Sequence, residues 1–141
     1  MAHTFTVQIA TPGRVVLEKE AVSLVAPAYD GYLGIRARHA PLAAELQTGA
    51  LTVTYPDGRR DALAVAGGFL AVADNVATIL ADAAELASEI DVARAEAAEA
   101  RARERLGKVH GSEAGREIDD ERARAALLRA ANRLTIARRR P

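Results

Sequence analysis

The chain has 141 residues, half of them apolar, with 19 basic and 19 acidic side chains and no cysteine. That length suits one compact domain, or one domain with an appendage. The lack of cysteine excludes disulfides, thiolate catalysis and zinc–sulfur sites. Neither a signal peptide after Met1 nor a run of roughly 20 apolar residues that could cross a bilayer is visible, so we expect an intracellular protein.

Charge divides the chain into two parts. Residues 1–87 carry 6 basic and 9 acidic side chains, whereas residues 88–141 carry 13 and 10. From Arg122 to Pro141 there are seven arginines and no acid. This asymmetry predicts two domains with different roles, which we place at residues 1–86 and 87–141.

The first part alternates with the period of a β-strand. Alternating apolar runs occupy Phe5–Ile9, Val22–Leu24, Leu51–Tyr55, Leu63–Val65, Leu70–Val72 and Val76–Leu80. Pro56-Asp57-Gly58 and Asp74-Asn75 predict tight turns, and Gly67-Gly68 is interpreted as a tight strand connection. Short strands at this spacing predict an antiparallel β-sandwich head.

The second part changes to a helical composition. Ser88 and Asp91 are spaced as in a capping box, with Ser88 as the N-cap, and strong helix formers follow as far as Leu106. Gly107, Gly111 and Gly115 interrupt the pattern, and a second helix is predicted from Ile118 or Asp119. Two helices with a short link predict an antiparallel αα-hairpin, which makes the fold class α+β.

The apolar stripes predicted for the two helices are thin. We place Ile90, Ala93, Ala97 and Leu106 on the first helix, and Ala123, Leu127, Ala130 and Leu134 on the second. Replacing a buried leucine by alanine costs roughly 2–5 kcal/mol. An alanine-based stripe therefore predicts a hairpin that undocks at modest cost; the alternative is a plain amphipathic hairpin that stays docked.

The sequence offers little for catalysis. His3, His39 and His110 show no Ser/His/Asp spacing, and His39 is expected in a loop or an interface. Gly67-Gly68 lacks the lysine and the strand–loop–helix setting of a phosphate-binding loop. We therefore expect no catalytic residue, no metal site and no obligatory cofactor.

An ordered set of motifs runs along the chain: Gly31–Ile35, His39–Leu42, Gly49–Leu51, Val65–Phe69, Val76–Glu85, Ile90–Ala95 and Ala131–Leu134. In order and spacing, these motifs resemble those of bacterial F-type ATP synthase epsilon subunits. Each is weak alone, but the ordered set spans nearly the whole chain. The resemblance implies a non-catalytic rotor subunit with a β-sandwich head and a mobile helical hairpin.

The resemblance also implies partners and a location. A member of this family binds the gamma subunit, sits on the membrane ring of c subunits and helps to couple proton or sodium flow to ATP synthesis. Its hairpin can extend towards the alpha and beta subunits, where it restrains ATP hydrolysis. We expect a peripheral membrane protein on the cytoplasmic face of the bacterial cell membrane, attached only through the complex, with no nucleic-acid partner.

The resemblance further identifies candidate interface residues. Those facing the c ring or the gamma subunit are Asp30, Tyr32, His39 and Pro41. The family commonly has a glutamate where this chain has Tyr32, a departure in the loop expected to face the c ring.

In some bacterial members, the start of the first helix marks an ATP site. The matching residues here are Glu85, Ile90, Asp91, Arg94, Ala95, Arg101, Arg129 and Arg133. Asp91, Arg94 and Arg101 share one helix face, and Arg129 and Arg133 share another. In an antiparallel hairpin these arginines converge, a setting suited to phosphate. The alternative is that they form solvated faces with Glu96, Glu99 and Glu104.

Two other functional classes stay open. One is a stand-alone binding adaptor with a sandwich and a helical arm, which would not depend on a gamma subunit. The other is nucleic-acid binding through the arginine-rich end, which the low aromatic content and neutral net charge support weakly.

Overall fold

The computed structural model describes the backbone of residues 3–107 and 113–138, with side chains throughout that part except at residues 113–119. The chain divides into two units, Met1–Ala87 and Ser88–Pro141. Within the predicted link between the helices, His110 and Gly111 lie outside the described residues.

In the described residues, the first unit contains eight strands. They are β1 (Phe5–Thr11), β2 (Arg14–Ala21), β3 (Ser23–Ala28), β4 (Gly31–Ile35), β5 (Leu42–Leu46), β6 (Gly49–Thr54), β7 (Arg60–Ala73) and β8 (Val76–Leu86). Their order is β2-β1-β8-β7-β5-β3-β4, and β6 pairs with β3 and β7. The described pairings are antiparallel apart from that of β1 with β8, which is parallel.

The strand β7 takes part in both layers of the sandwich. Its first half pairs with β6, from Arg60 to Val65, and its second half pairs with β5, from Gly68 to Val72. Gly67 and Gly68, at φ +71° and +122°, lie between the halves within a continuous ladder to β8. The predicted strand connection at Gly67-Gly68 is therefore wrong: the chain bends there, but the same strand continues.

Three strands and one proline were not anticipated. β2, β4 and β5 fall outside the predicted alternating runs, and β3 continues beyond the predicted run through Pro27. Pro27 has no amide hydrogen to contribute, but its carbonyl accepts a hydrogen bond from the Gln47 amide at 2.9 Å. The backbone at Pro27 is therefore hydrogen-bonded through its carbonyl oxygen.

Both predicted turns are confirmed. The Gly58 amide donates to the Tyr55 carbonyl at 2.9 Å, which closes the turn between β6 and β7. Asp74 and Asn75 form a two-residue connection between β7 and β8 with φ +52° and +63°. Two positive φ values identify the turn type whose twist matches that of a hairpin.

The core of the head is aliphatic apart from one phenylalanine. Every strand contributes to it, and its largest fully buried side chains include Phe5, Ile9, Leu24, Leu51 and Ile79. In the part of the chain that the structure describes, no polar or charged side chain is buried. The head therefore depends on apolar burial, the dominant favourable contribution to folding.

The second unit contains α1 (Val92–Leu106) and α2 (Glu113–Ala137). A 3₁₀ turn at Ala87–Glu89 precedes α1. The predicted fold class, a β-sandwich head followed by two helices, is confirmed.

Both predicted helix starts are wrong. The N-cap of α1 is Asp91, whose Oδ1 accepts from the Arg94 amide at 3.1 Å, whereas Ser88 lies in the 3₁₀ turn. Asp91 serves as the N-cap because its carboxylate accepts from an amide of the first turn that has no partner within the helix. The second helix begins at Glu113, five residues before Ile118, because the helix continues through Gly115.

The two helices pack against each other. Of the stripe predicted for the first helix, Ile90 is buried and Leu106 is half-buried, but Ala93 and Ala97 are exposed. The buried residues of α1 are Ala95 and Ala102, so the alanines of the predicted stripe are wrong in phase. On α2 the predicted stripe is correct in phase, because Ala123, Ala130 and Leu134 are buried and Leu127 is half-buried. Alanine accordingly dominates the buried side chains of the hairpin.

Candidate functional site

The outer face of the head carries a row of exposed apolar side chains. Directly paired residues on neighbouring strands project from the same face of a sheet. The pairs Val15–Ala10, Ala10–Leu80 and Leu80–Phe69 place four residues in line across β2, β1, β8 and β7. Val15, Leu80 and Phe69 are 68%, 60% and 64% exposed. We call these four residues the outer apolar row.

A β-bulge brings Val15 into this row. Ile9 pairs with Leu17 but Ala10 pairs with Val15, so Val16 is an extra residue on β2. In a regular strand Val15 would face the core together with Leu17, since they are two residues apart. The extra residue turns Val15 outwards.

The surroundings of the row are small, neutral and edged by carboxylates. Glu45 on β5 pairs with Phe69 and closes one end of the row. The next row on the same face includes the small residues Ala71 and Thr78, which pair with each other. This second row ends at Glu18 on β2. A neutral centre with acidic margins fits a protein partner with an apolar centre and basic edges.

The four candidate interface residues fall into two groups at opposite ends of β4. Asp30 and Tyr32 lie where β4 begins, and His39 and Pro41 lie in the loop that follows it. The structure does not bring the two groups together, since the part of β4 from Leu33 to Ile35 lies between Tyr32 and the loop.

Tyr32 is exposed but anchored. The residue is 63% exposed, and its hydroxyl accepts a hydrogen bond from the Ala50 amide at 3.4 Å. Asp30 is also exposed, in the turn between β3 and β4. This end of the head therefore presents a carboxylate and an aromatic ring to solvent.

The loop between β4 and β5 is held by polar contacts. The His39 amide donates to the Arg36 carbonyl at 3.3 Å, and Nδ1 of the half-buried His39 lies 2.7 Å from the Ala40 carbonyl oxygen. Pro41 is exposed. The amide of Arg38 donates to Oδ1 of Asn75 at 2.8 Å, which ties the loop to the β7–β8 turn.

The residues predicted for an ATP site are spread over both units. Glu85 is half-buried on β8, in the head. The remaining members belong to the second unit: Ile90, Asp91, Arg94, Ala95 and Arg101 at or on α1, and Arg129 and Arg133 on α2. Ile90 and Ala95 are buried, and the other members range from half-buried to exposed.

Within the hairpin, the exposed arginines would suit an anion, whereas the Asp91 carboxylate has another role. Arg94, Arg101 and Arg129 are exposed, so their guanidinium groups are accessible. Oδ1 of Asp91 is engaged in capping α1. Glu96 and Glu99 were alternative partners for these arginines, but each pairs with a different arginine. Glu99 pairs with Arg103 at 3.8 Å, and Glu96 pairs with Arg138 at 3.9 Å.

The ion pair of Glu96 with Arg138 also reports the direction of the helices. Glu96 lies in the second turn of α1, and Arg138 directly follows the last residue of α2. The start of α1 and the end of α2 are thus adjacent, as an antiparallel hairpin requires.

Comparison with known proteins identifies the family. The family model for the β-sandwich domain of the ATP synthase delta/epsilon chain matches residues 4–87, and the model for its long α-helix domain matches residues 88–138. The chain belongs to the ATP synthase delta/epsilon family. The resemblance seen in the sequence is therefore confirmed.

Bacterial epsilon chains are among the relatives of this chain. The ATP synthase epsilon chain of Pelotomaculum thermopropionicum is 48% identical over 74% of this chain and 78% of the relative. A bacterial-type, non-catalytic epsilon subunit is accordingly what the findings support.

Solved structures share the fold. A chain of the Euglena gracilis mitochondrial ATP synthase, in an assembly described as OSCP/F1/c-ring, matches with a TM-score of 0.76 at 24% identity, covering 92% of this chain and 78% of that one. A chain of the Tetrahymena thermophila central stalk and c-ring matches with a TM-score of 0.59 at 18% identity, covering 89% and 93%. At these identities the matches show the fold.

The described residues were also compared with the requirements of a metal site and of a membrane-spanning helix. Among them, no cluster of three histidine, cysteine, aspartate or glutamate side chains is arranged to hold a metal ion. None of the helices, within the same residues, has the length and hydropathy needed to cross a membrane.

The sequence interpretation missed the outer apolar row. A signal for it was present, because Phe69-Leu70 and Ile79-Leu80 place large apolar residues at consecutive positions. Consecutive strand residues face opposite sides of a sheet, so one of each pair has to face outwards. Two such pairs on adjacent strands predict an apolar outer surface.

Proposed function

We propose that the chain is a central-stalk subunit of a rotary ATP synthase and that its head docks to the gamma subunit through the outer apolar row. It is a non-catalytic part of the rotor and helps to couple proton or sodium flow to ATP synthesis. The observation that carries the proposal is the row itself, in which Val15, Leu80 and Phe69 are each at least 60% exposed and the half-buried Ala10 lies between Val15 and Leu80.

Physical chemistry supports a protein partner for this face. A contiguous apolar patch on a soluble surface is typical of an interaction site. The sheet offers a surface built on strands, which is more rigid than a loop, and its acidic margins would select a partner with basic edges. The stand-alone adaptor class makes the same demand for a partner but not for gamma.

The comparisons support a place for this chain in an ATP synthase complex. The structural neighbours come from assemblies described as F1/c-ring and as central stalk/c-ring. We infer the same setting for this chain, in which the end of the head with Asp30 and Tyr32 faces the c-subunit ring. The chain would then reach the cytoplasmic face of the bacterial membrane through the complex.

Binding to gamma tests the proposal. The full chain and the gamma subunit of the same organism are purified, and the dissociation constant is measured by calorimetry. We expect Leu80→Lys to weaken binding by at least tenfold, because it places a charge in the centre of the apolar row. Tyr29→Lys is the matched control, because Tyr29 is 70% exposed but outside the row. Wild-type affinity for Leu80→Lys, or no binding by the wild-type chain, would contradict the proposal.

We propose that the hairpin regulates ATP hydrolysis and that ATP controls it. The alanine-dominated packing of α1 supports a low cost of opening, since alanine buries little area. The opened hairpin would extend towards the alpha and beta subunits, and its basic side chains suit an acidic surface there. ATP bound among Arg94, Arg101, Arg129 and Arg133 would stabilise the closed form and relieve inhibition.

Calorimetry with ATP tests this second part. The isolated chain should bind ATP, and Arg94→Ala should weaken binding by tenfold or more, because it removes a phosphate partner. Arg103→Ala is the matched control on the same helix, since Arg103 is exposed and pairs with Glu99. Absence of heat at millimolar ATP would end the ATP proposal but leave the stalk proposal intact.

A further inference from the structure

We propose that Asn75 is a positioning residue for docking: its side chain presets the loop at residues 36–41, between β4 and β5, for contact with the gamma subunit. This inference rests on the proposed function, because it requires the head to dock to gamma. It assigns to Asn75 a role beyond forming the β7–β8 turn.

The loop has little apolar packing to determine its shape. Arg36, Arg38, Ala40 and Pro41 are exposed, and Ala37 is partly buried against the core. The geometry of the loop therefore depends on hydrogen bonds.

Arg38 holds a backbone conformation that a side chain rarely adopts. Its φ is +65°, in the left-handed region, where a residue with a Cβ is strained. Such strain persists only where surrounding structure enforces it, and it concentrates at functional sites. The 2.8 Å hydrogen bond from the Arg38 amide to Oδ1 of Asn75 supports this conformation, together with the 3.3 Å bond from the His39 amide to the Arg36 carbonyl.

Asn75 makes a second bond with the other half of its amide. Its Nδ2 donates to the Thr4 carbonyl at 2.8 Å, while its backbone carbonyl accepts from the Thr6 amide at 3.1 Å. A turn with two positive φ values needs glycine, asparagine or aspartate, and glycine would serve it as well. A primary amide, in contrast, can donate and accept at the same time. The side chain thus joins the loop to the start of β1.

This junction fixes the loop relative to the proposed docking face. β1, β7 and β8 carry the outer apolar row, and Asn75 lies at the turn where β7 meets β8. A partner seated on the row would meet a loop whose shape is already set, so that less conformational freedom is lost on binding.

Two substitutions separate the bonds. Asn75→Gly keeps the turn and removes both side-chain bonds. Asn75→Asp keeps the turn and the acceptor for Arg38, but it loses the donor to Thr4. If the role were only structural, binding would follow the melting temperature, which both substitutions lower.

The measurements are amide hydrogen exchange and affinity for the purified gamma subunit of the same organism. In Asn75→Gly we expect at least tenfold faster exchange of the Arg38 amide, an unchanged Thr6 amide and at least fivefold weaker binding. In Asn75→Asp we expect Arg38 exchange and binding within twofold of the wild type.

The possible failures are distinguishable. Wild-type binding by Asn75→Gly, despite fast Arg38 exchange, would overturn the positioning role and leave the proposed function standing. Equal loss of binding in both variants, with Arg38 still protected in Asn75→Asp, would also overturn it. A wild-type chain that does not bind gamma overturns the proposed function, and the positioning role with it.

Discussion

The hydroxyl of Tyr55 donates a 2.7 Å hydrogen bond to Oδ2 of Asp61, across the hairpin of β6 and β7. Partial burial, followed by this bond and the charge of Asp61, raises the pKa of Tyr55 above its usual 10.0. A raised pKa in the folded state means that the stabilisation is present below pH 10 and is lost as pH rises through the folded pKa.

This predicts an alkaline decline in stability that depends on Tyr55. Above pH 10 the free energy of unfolding of the wild type should fall, because the unfolded chain loses the tyrosine proton first. Tyr55→Phe should cost about 1 kcal/mol at pH 7 through the lost hydrogen bond, and its decline above pH 10 should be shallower. Urea unfolding at several pH values measures both. Tyr29→Phe, which removes an exposed hydroxyl, should keep the wild-type dependence; parallel curves for Tyr55→Phe and the wild type would contradict the assignment.

Gly68→Ala should prevent or severely weaken folding of the head. A Cβ at this position would collide with the Leu80 carbonyl and stand 2.6 Å from the α-carbon of Ala81, in a strand with φ +122°. We expect a loss of more than about 3 kcal/mol, since both backbone strain and overpacking contribute. Thermal unfolding followed by circular dichroism measures it. Gly13→Ala is the matched control, because nothing lies within 4 Å of its added Cβ.

Asp91→Ala should loosen the first turn of α1. Its carboxylate accepts from the Arg94 amide at 3.1 Å, and loss of an N-cap costs about 1 kcal/mol. Amide exchange at Arg94 should accelerate in Asp91→Ala but stay near the wild-type rate in Asp91→Asn, which keeps an acceptor. Equal protection of Arg94 in both variants would show that the cap contributes nothing to the helix.

Leu134→Ala should destabilise the hairpin far more than Leu128→Ala. Leu134 is 2% exposed and Leu128 is 57% exposed on the same helix. We expect a cost of roughly 2–5 kcal/mol for the first and close to zero for the second. Hydrogen exchange along α2 provides the measurement. Similar exchange rates in the two variants would rule out Leu134 as an anchor of the hairpin. If the proposed regulation holds, Leu134→Ala should also raise the inhibition of ATP hydrolysis in the reconstituted complex.

Local chemistry made part of the fold predictable. The turns at Pro56-Asp57-Gly58 and Asp74-Asn75 were found because their residues favour the required backbone angles. Strands β2, β4 and β5 were missed because their sequences do not show a clear apolar alternation. β2 has a bulge at Val16, which breaks the alternation, and β5 alternates only weakly because Ala43 and Ala44 differ little in size.

The helices show the same limit. Residues 93–102 contain six alanines, so the sequence of α1 scarcely distinguishes one face from another, and the alanines of the predicted stripe came out in the wrong phase. On α2 the leucines at 127 and 134 gave the correct phase. For the site, the candidate residues taken from the family resemblance stay predictions. Phe69-Leu70 and Ile79-Leu80 indicate an apolar outer surface in the sequence, but the bulge that adds Val15 is visible only in the strand register.

The bend of β7 has a mechanical consequence. A sandwich whose layers met only through side chains could shear, because dispersion contacts resist sliding weakly. Here one polypeptide backbone passes through both layers at Gly67 and Gly68, and β8 is bonded to it on both sides of the bend. If the proposed rotor function holds, sideways load on the outer face would be carried along the covalent bonds of β7 into the opposite layer.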